Sequence, residues 1–121
     1  VVLLATACGG DAADGPALSS EASAGRRIAT SAGCASCHGS DGEGNVGPAF
    51  VGLLGSEREL RDGTTVIADE AYLRESIQDP SAKMVAGYSL RMPTNNLSDA
   101  EIDQIITWIT ELSTAAPEPT P

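Results

Sequence analysis

A chain of 121 residues holds one small domain, which buries only a modest share of its surface and has little core to spare. One Trp, two Tyr and one Phe leave it short of the usual large core side chains. Seven basic against seventeen acidic residues give a formal charge of -10, which argues against nucleic acid and against electrostatic binding to anionic lipid; a charged soluble partner is expected to be basic.

The chain begins VVLLATACGG. The stretch before Cys8 is too short for a spanning helix or a full signal h-region, so residues 1–7 read as the remnant of a signal segment. Leu4-Ala5-Thr6-Ala7-Cys8 resembles a bacterial lipobox, in which small residues precede a cysteine that is lipidated on its thiol and becomes the mature N-terminus. Cys8 is therefore the expected lipidation site, and the expected location is the periplasmic side of a membrane, reached by export. Residues 8–19 are rich in Gly, Ala and Asp without apolar period and read as a flexible tether, spanning roughly 18 Å by square-root scaling.

The domain itself is expected over residues 20–113. Ser19 or Ser20 caps a first helix running to about Ala32, with Ala24, Ile28 and Ala29 on one side. Asp62-Gly63, between LR and TTVI, turns a short hairpin. Asp69 caps a second helix, EAYLRESIQ, which Pro80 stops. Ser98-Asp99-Ala100-Glu101 is a capping box, and Ile102, Ile105, Ile106, Ile109 and Leu112 follow at helical spacing with Trp108 beside them, which makes a core-facing last helix. Residues 39–57 and 80–97 are long loops, which in a small domain are functional or wrapped around something. The last stretch, 114–121, alternates Pro with small and acidic residues and reads as an unpacked tail.

Two of three cysteines and the only histidine fall together in Cys34-Ala-Ser-Cys37-His38. C-x-x-C-H is the attachment pattern of c-type haem: the spacing lets each thiol add to one of two vinyl groups on the same haem edge, and His38 falls under the iron. A covalent apolar cofactor also supplies the core that the scarce aromatics do not. A structural zinc site needs about four N or S ligands, and only a remote Cys8 is left to supply the fourth. A thioredoxin-like pair wants a preceding strand and a βαβ surround, whereas a helix precedes this one. A plain disulfide leaves the histidine unexplained.

An iron-bound His38 should donate its other ring N–H to a fixed acceptor, and the carbonyl of Pro48, in Gly47-Pro48, is the candidate. With no second histidine, the sixth position falls to a methionine or stays open. Met92 precedes Pro93 in a Gly-, Ser- and Asn-rich loop and is the expected ligand, while Met84 suits a gap-filling apolar residue. A His/Met iron is saturated, and the thioether favours the ferrous state.

With Gly25 in the first helix, Gly47-Pro48, the methionine of Met92-Pro93 and Trp108 in the last helix, the chain resembles a class I cytochrome c over roughly residues 22–113. The resemblance implies a mainly α fold, a few helices wrapped around one covalently bound haem c, with first and last helices crossing where Gly25 admits the aromatic. The run DGTTVIADEAYLRESIQDPSAKMVAGYSLRMP is similar to the cytochrome c domain of caa3-type oxidase subunit II, which implies Met92 as sixth ligand and propionate or haem-edge contacts from Tyr88, Arg58 and Arg61. A fused subunit would place a copper-binding domain before this one; a lipobox-like end and a tether stand there instead, so the expectation is a free-standing, lipid-anchored relative. It would be an electron carrier rather than an enzyme, taking electrons from a quinol-oxidising complex to a terminal oxidase. The alternatives are a bound haem subunit of an oxidase or dehydrogenase, and a haem sensor or peroxidase-like site with a labile Met92.

Overall fold

The computed structural model describes residues 17–114. The expected lipidation site Cys8, the expected signal remnant, most of the expected tether and residues 115–121 lie outside them. In chain order the elements are α1 (Ser20–Ser31), α2 (Ala35–His38), β1 (Glu57–Glu59), β2 (Thr65–Ile67), α3 (Glu70–Gln78) and α4 (Asp99–Thr114).

Each long helix begins where its side chains satisfy the unpaired N–H groups of a first turn. Ser19 caps α1 by accepting from the Ala22 N–H at 3.1 Å. Asp69 accepts from the Tyr72 N–H at 2.8 Å to start α3. At α4 the capping box closes in both directions, with Glu101 N–H donating to Ser98 Oγ at 3.2 Å and Ser98 N–H to Glu101 Oε1 at 3.0 Å. The end of α3 falls at Gln78, before Pro80, as expected.

The core is built on the crossing of α1 and α4. Ala22, Gly25 and Ala29 recur on one face of α1, all buried, so that face is nearly side-chain free. Against it α4 buries Ile102, Ile105, Ile106, Trp108 and Ile109, with Trp108 only 1% exposed. The backbones approach so closely that a Cβ on Gly25 would lie 2.0 Å from the Gln104 carbonyl oxygen. A further tie joins the start of α1 to the end of α4: the Glu111 carboxylate accepts from the Ser19 N–H at 2.9 Å and from its hydroxyl. Leu18 packs against the core.

The hairpin is antiparallel, pairing Glu57 with Ile67, Arg58 with Val66 and Glu59 with Thr65. Asp62 Oδ1 accepts from the Thr64 N–H at 2.9 Å and from its hydroxyl at 2.6 Å, which holds the turn. A segment of the following loop lies along the hairpin end: Leu60 bridges Val85, the Ala86 N–H donates to the Glu59 carbonyl at 2.9 Å, and the Arg61 N–H to the Met84 carbonyl at 2.8 Å. Among the described residues no helix is long and apolar enough to cross a membrane.

Candidate haem site

The end of α1 delivers the first cysteine. Gly33 has φ 86°, the left-handed conformation that glycine adopts without cost; its N–H donates to the Thr30 carbonyl at 3.2 Å, and the next N–H, of Cys34, reaches back to Ala29 at 2.9 Å. This pair of bonds is a Schellman ending, and it turns the chain straight into the single turn α2 that carries Cys37 and His38. The loop beyond returns over it, with the Gly47 N–H donating to the Cys37 carbonyl at 2.9 Å.

His38 is held on two sides. Its Nδ1 lies 2.7 Å from the Pro48 carbonyl oxygen, the partner expected from the sequence. A carbonyl can only accept, so Nδ1 carries the proton and Nε2 of the neutral ring keeps its lone pair. Burial lowers the pKa of His38 and the bond to Pro48 partly offsets it, so the neutral, ligating form is favoured. Phe50 stacks on the imidazole with centroids 4.4 Å apart and meets Trp108 edge-on at 5.4 Å. Gly47 fits beneath: a Cβ there would come within 3.1 Å of His38 Cε1.

Cys34, Cys37 and His38 line one cavity together with Met92, Met84, Tyr88, Arg58 and Arg61. Leu53, Tyr72, Leu73, Ile77, Ile105 and Ile109 give it an apolar wall. Both cysteines are free thiols. Burial pushes the Cys34 thiol up, its own backbone hydrogen bond offsets part of this, and the neighbouring Cys37 adds to the rise. Among the described residues no three His, Cys, Asp or Glu side chains gather as a metal site, so the residues around His38 do not form a zinc cage.

The polar groups at this cavity suit a large apolar ligand with anionic edges. Arg58 Nε and Ser76 Oγ are buried without a hydrogen-bond partner, and both residues line the cavity. Arg58 reaches it because strand alternation sends Glu57 and Glu59 to the other face. Four of the seven cationic side chains, Arg58, Arg61, Lys83 and Arg91, line the cavity, Lys83 being paired with Glu75 beside it, and among the described residues no carboxylate lines it. The vinyl groups, iron and propionates of a haem would thus meet thiols, an imidazole lone pair and cationic donors here.

Arg61 lines the cavity and also binds the loop beside it. Its Nη2 donates to the Tyr88 carbonyl oxygen at 2.5 Å and its Nη1 faces the Met84 sulfur at 3.8 Å, so its guanidinium serves the loop. Sequence reasoning missed Phe50 and Ser76. Phe50 is the only phenylalanine but shows no pattern tying it to His38, and Ser76 sits inside a helix whose period marks only apolar positions.

The family model described as Cytochrome c matches residues 22–113. No curated protein matches the chain.

Proposed function

Because the chain belongs to the cytochrome c family, whose members bind covalently attached haem c and transfer electrons, we propose that it is a monohaem carrier of single electrons in a respiratory chain, with a caa3-type terminal oxidase as its acceptor and a quinol-oxidising complex upstream. The observation behind this reading is the convergence of both thiols, the lone-pair tautomer of His38 and the Met92 thioether on one cavity. In this reading Cys34 and Cys37 would hold the haem, His38 and Met92 would ligate its iron, and Pro48 orients His38. Arg58 and Tyr88 would meet the propionates, and Ser76 would join them. Bound haem supplies one-electron exchange at its iron, at a potential raised by a thioether ligand. The chain keeps the imidazole in one tautomer and orientation, excludes water with an apolar wall, and so limits rearrangement between the two oxidation states.

The partner's charge depends on the face it meets. Net charge alone points to a basic partner, whereas the cations around the cavity mouth suit an acidic contact surface. Membrane attachment rests on Cys8 as a lipidated N-terminus after export; Cys8→Ser should move the protein from the membrane fraction to the soluble one. The reading as a bound subunit of an oxidase or dehydrogenase draws on Val46 and Leu90, 45% and 61% exposed at the cavity, which offer an apolar contact. Copurification with a membrane enzyme after salt washing distinguishes it from a free carrier.

The central experiment is the absorption spectrum of the reduced, haem-loaded protein before and after carbon monoxide. An unchanged spectrum is the expected result for a closed sixth position. A shifted one turns the reading toward sensing or peroxidase-like chemistry. Cys34→Ser with Cys37→Ser should leave no haem on the chain in a denaturing gel.

A further inference from the structure

The loop that carries Met92 has almost no support of its own. From Gly87 to Leu97 no residue takes part in a backbone-to-backbone hydrogen bond. Besides the packing of Met92 and Leu97 against the core, two side chains hold it by hydrogen bonds. At its near end Arg61, on the hairpin turn, donates through Nη2 to the Tyr88 carbonyl at 2.5 Å. At its far end Asn95 Nδ2 donates to the Ile77 carbonyl at 2.8 Å, in the last turn of α3, while its Oδ1 accepts from the Leu97 N–H at 3.1 Å. Met92 lies between these two clamps.

The same guanidinium has a second arm, on the sulfur of Met84. Met84 and Met92 both line the cavity, so it holds two thioethers. A thioether engaged by a cationic N–H has one of its two lone pairs occupied and its electron density drawn away, and is a poorer ligand. The Arg61 backbone adds to this by fixing the Met84 carbonyl at 2.8 Å.

We propose that Arg61 and Asn95 are positioning residues for the sixth ligand: together they hold the Met92 loop at both ends, and Arg61 also restrains Met84, so that one sulfur alone is presented. The proposal rests on the reading of Met92 as the axial ligand. Its physical content is that a hydrogen bond from a charged donor, once removed, shifts the balance between bound and released loop by roughly tenfold or more. Asn95 is neutral and its loss is expected to shift the balance less.

The test uses the haem-loaded protein with imidazole as probe of the ferric form and carbon monoxide as probe of the ferrous form. Wild type should resist both, and Met92→Ala should bind both; a Met92→Ala protein that stays closed overturns the ligand reading itself. With that established, Arg61→Ala and Asn95→Asp should each take up imidazole more tightly than wild type, by roughly tenfold for Arg61→Ala. Asn95→Asp is isosteric and keeps the acceptor to Leu97, so it remains informative if Arg61→Ala folds poorly. Asp69→Ala, which removes the cap of α3 outside the loop, serves as a control of lowered stability. Arg61→Ala should also show mixed thioether ligation in its near-infrared and magnetic spectra, reduced to a single form by adding Met84→Leu. Imidazole affinity in Arg61→Ala and Asn95→Asp equal to wild type, or raised equally in Asp69→Ala, overturns the proposal.

Discussion

Replacing Gly25 by alanine separates two opposed physical effects. Alanine is the better helix former, and propensity alone predicts a stabilisation of about 1 kcal/mol. The crossing predicts the opposite sign. The new Cβ would lie 2.0 Å from the Gln104 carbonyl oxygen, 2.5 Å from its carbon and 2.9 Å from the Ile105 nitrogen, all backbone atoms that no side-chain rotation can move. To reach ordinary contact, α1 and α4 must part by about 1.4 Å, and a gap larger than about 1 Å forfeits at least half the dispersion attraction across the interface. Overpacking against fixed backbone belongs at the upper end of its range, about 3 kcal/mol, which leaves a net loss of about 2 kcal/mol after propensity. For a domain of this size that is a fall in melting temperature of roughly 8–16 °C. Thermal unfolding of the haem-loaded ferric protein by far-ultraviolet circular dichroism measures it. A melting temperature equal to or above that of wild type would refute the argument.

Glu111→Gln probes the tie between the ends of the domain. Hydrogen bonds from the Ser19 hydroxyl and then its N–H hold the Glu111 carboxyl below the usual range. A depressed folded value means that its contribution is present above the unfolded value of about 4.3 and lost as pH falls through the folded one. Wild type should therefore lose more melting temperature than Glu111→Gln between about pH 7 and pH 3, and equal losses would count against the tie. Gly47→Ala pushes a Cβ to 3.1 Å from an imidazole already fixed by Pro48 and Phe50, and should cost about 1 kcal/mol in urea unfolding; no loss would mean that the ring has room to shift. At low ionic strength an anionic one-electron oxidant should react faster than a cationic one of matched driving force, because the cavity mouth is cationic despite the net charge of -10. The difference should shrink as the Debye length falls to about 8 Å near 0.15 M salt, and a faster cationic oxidant would show that net charge governs the approach.

The helices were legible because their signals are local. Ser19, Asp69 and the Ser98/Glu101 pair cap from within four residues, and the isoleucines of α4 repeat at the period of the helix they form. The attachment pair, the histidine and the Pro48 carbonyl were legible for the same reason, lying within fifteen residues of one another. What escaped was long-range or patternless. The α2 turn is too short to show a period, and its geometry comes from the Gly33 ending of α1. The contact between Ser19 and Glu111 joins residues 92 apart, and neither residue is unusual for an exposed position. Arg61 illustrates the limit best: its type suggested an anionic partner, and nothing in the sequence showed that the hairpin turn also brings it to a carbonyl and a sulfur.

The crossing of α1 with α4 also sets an order of events in time. A chain synthesised from its N-terminus presents the small-residue face of α1, then the Cys34 to His38 turn, long before the sixteen residues of α4 exist to cover them. Until α4 has been made, its Ile105 and Ile109 cannot close the cavity over the two thiols. The last helix, when it docks on Gly25, shuts the domain around whatever has by then been joined to them.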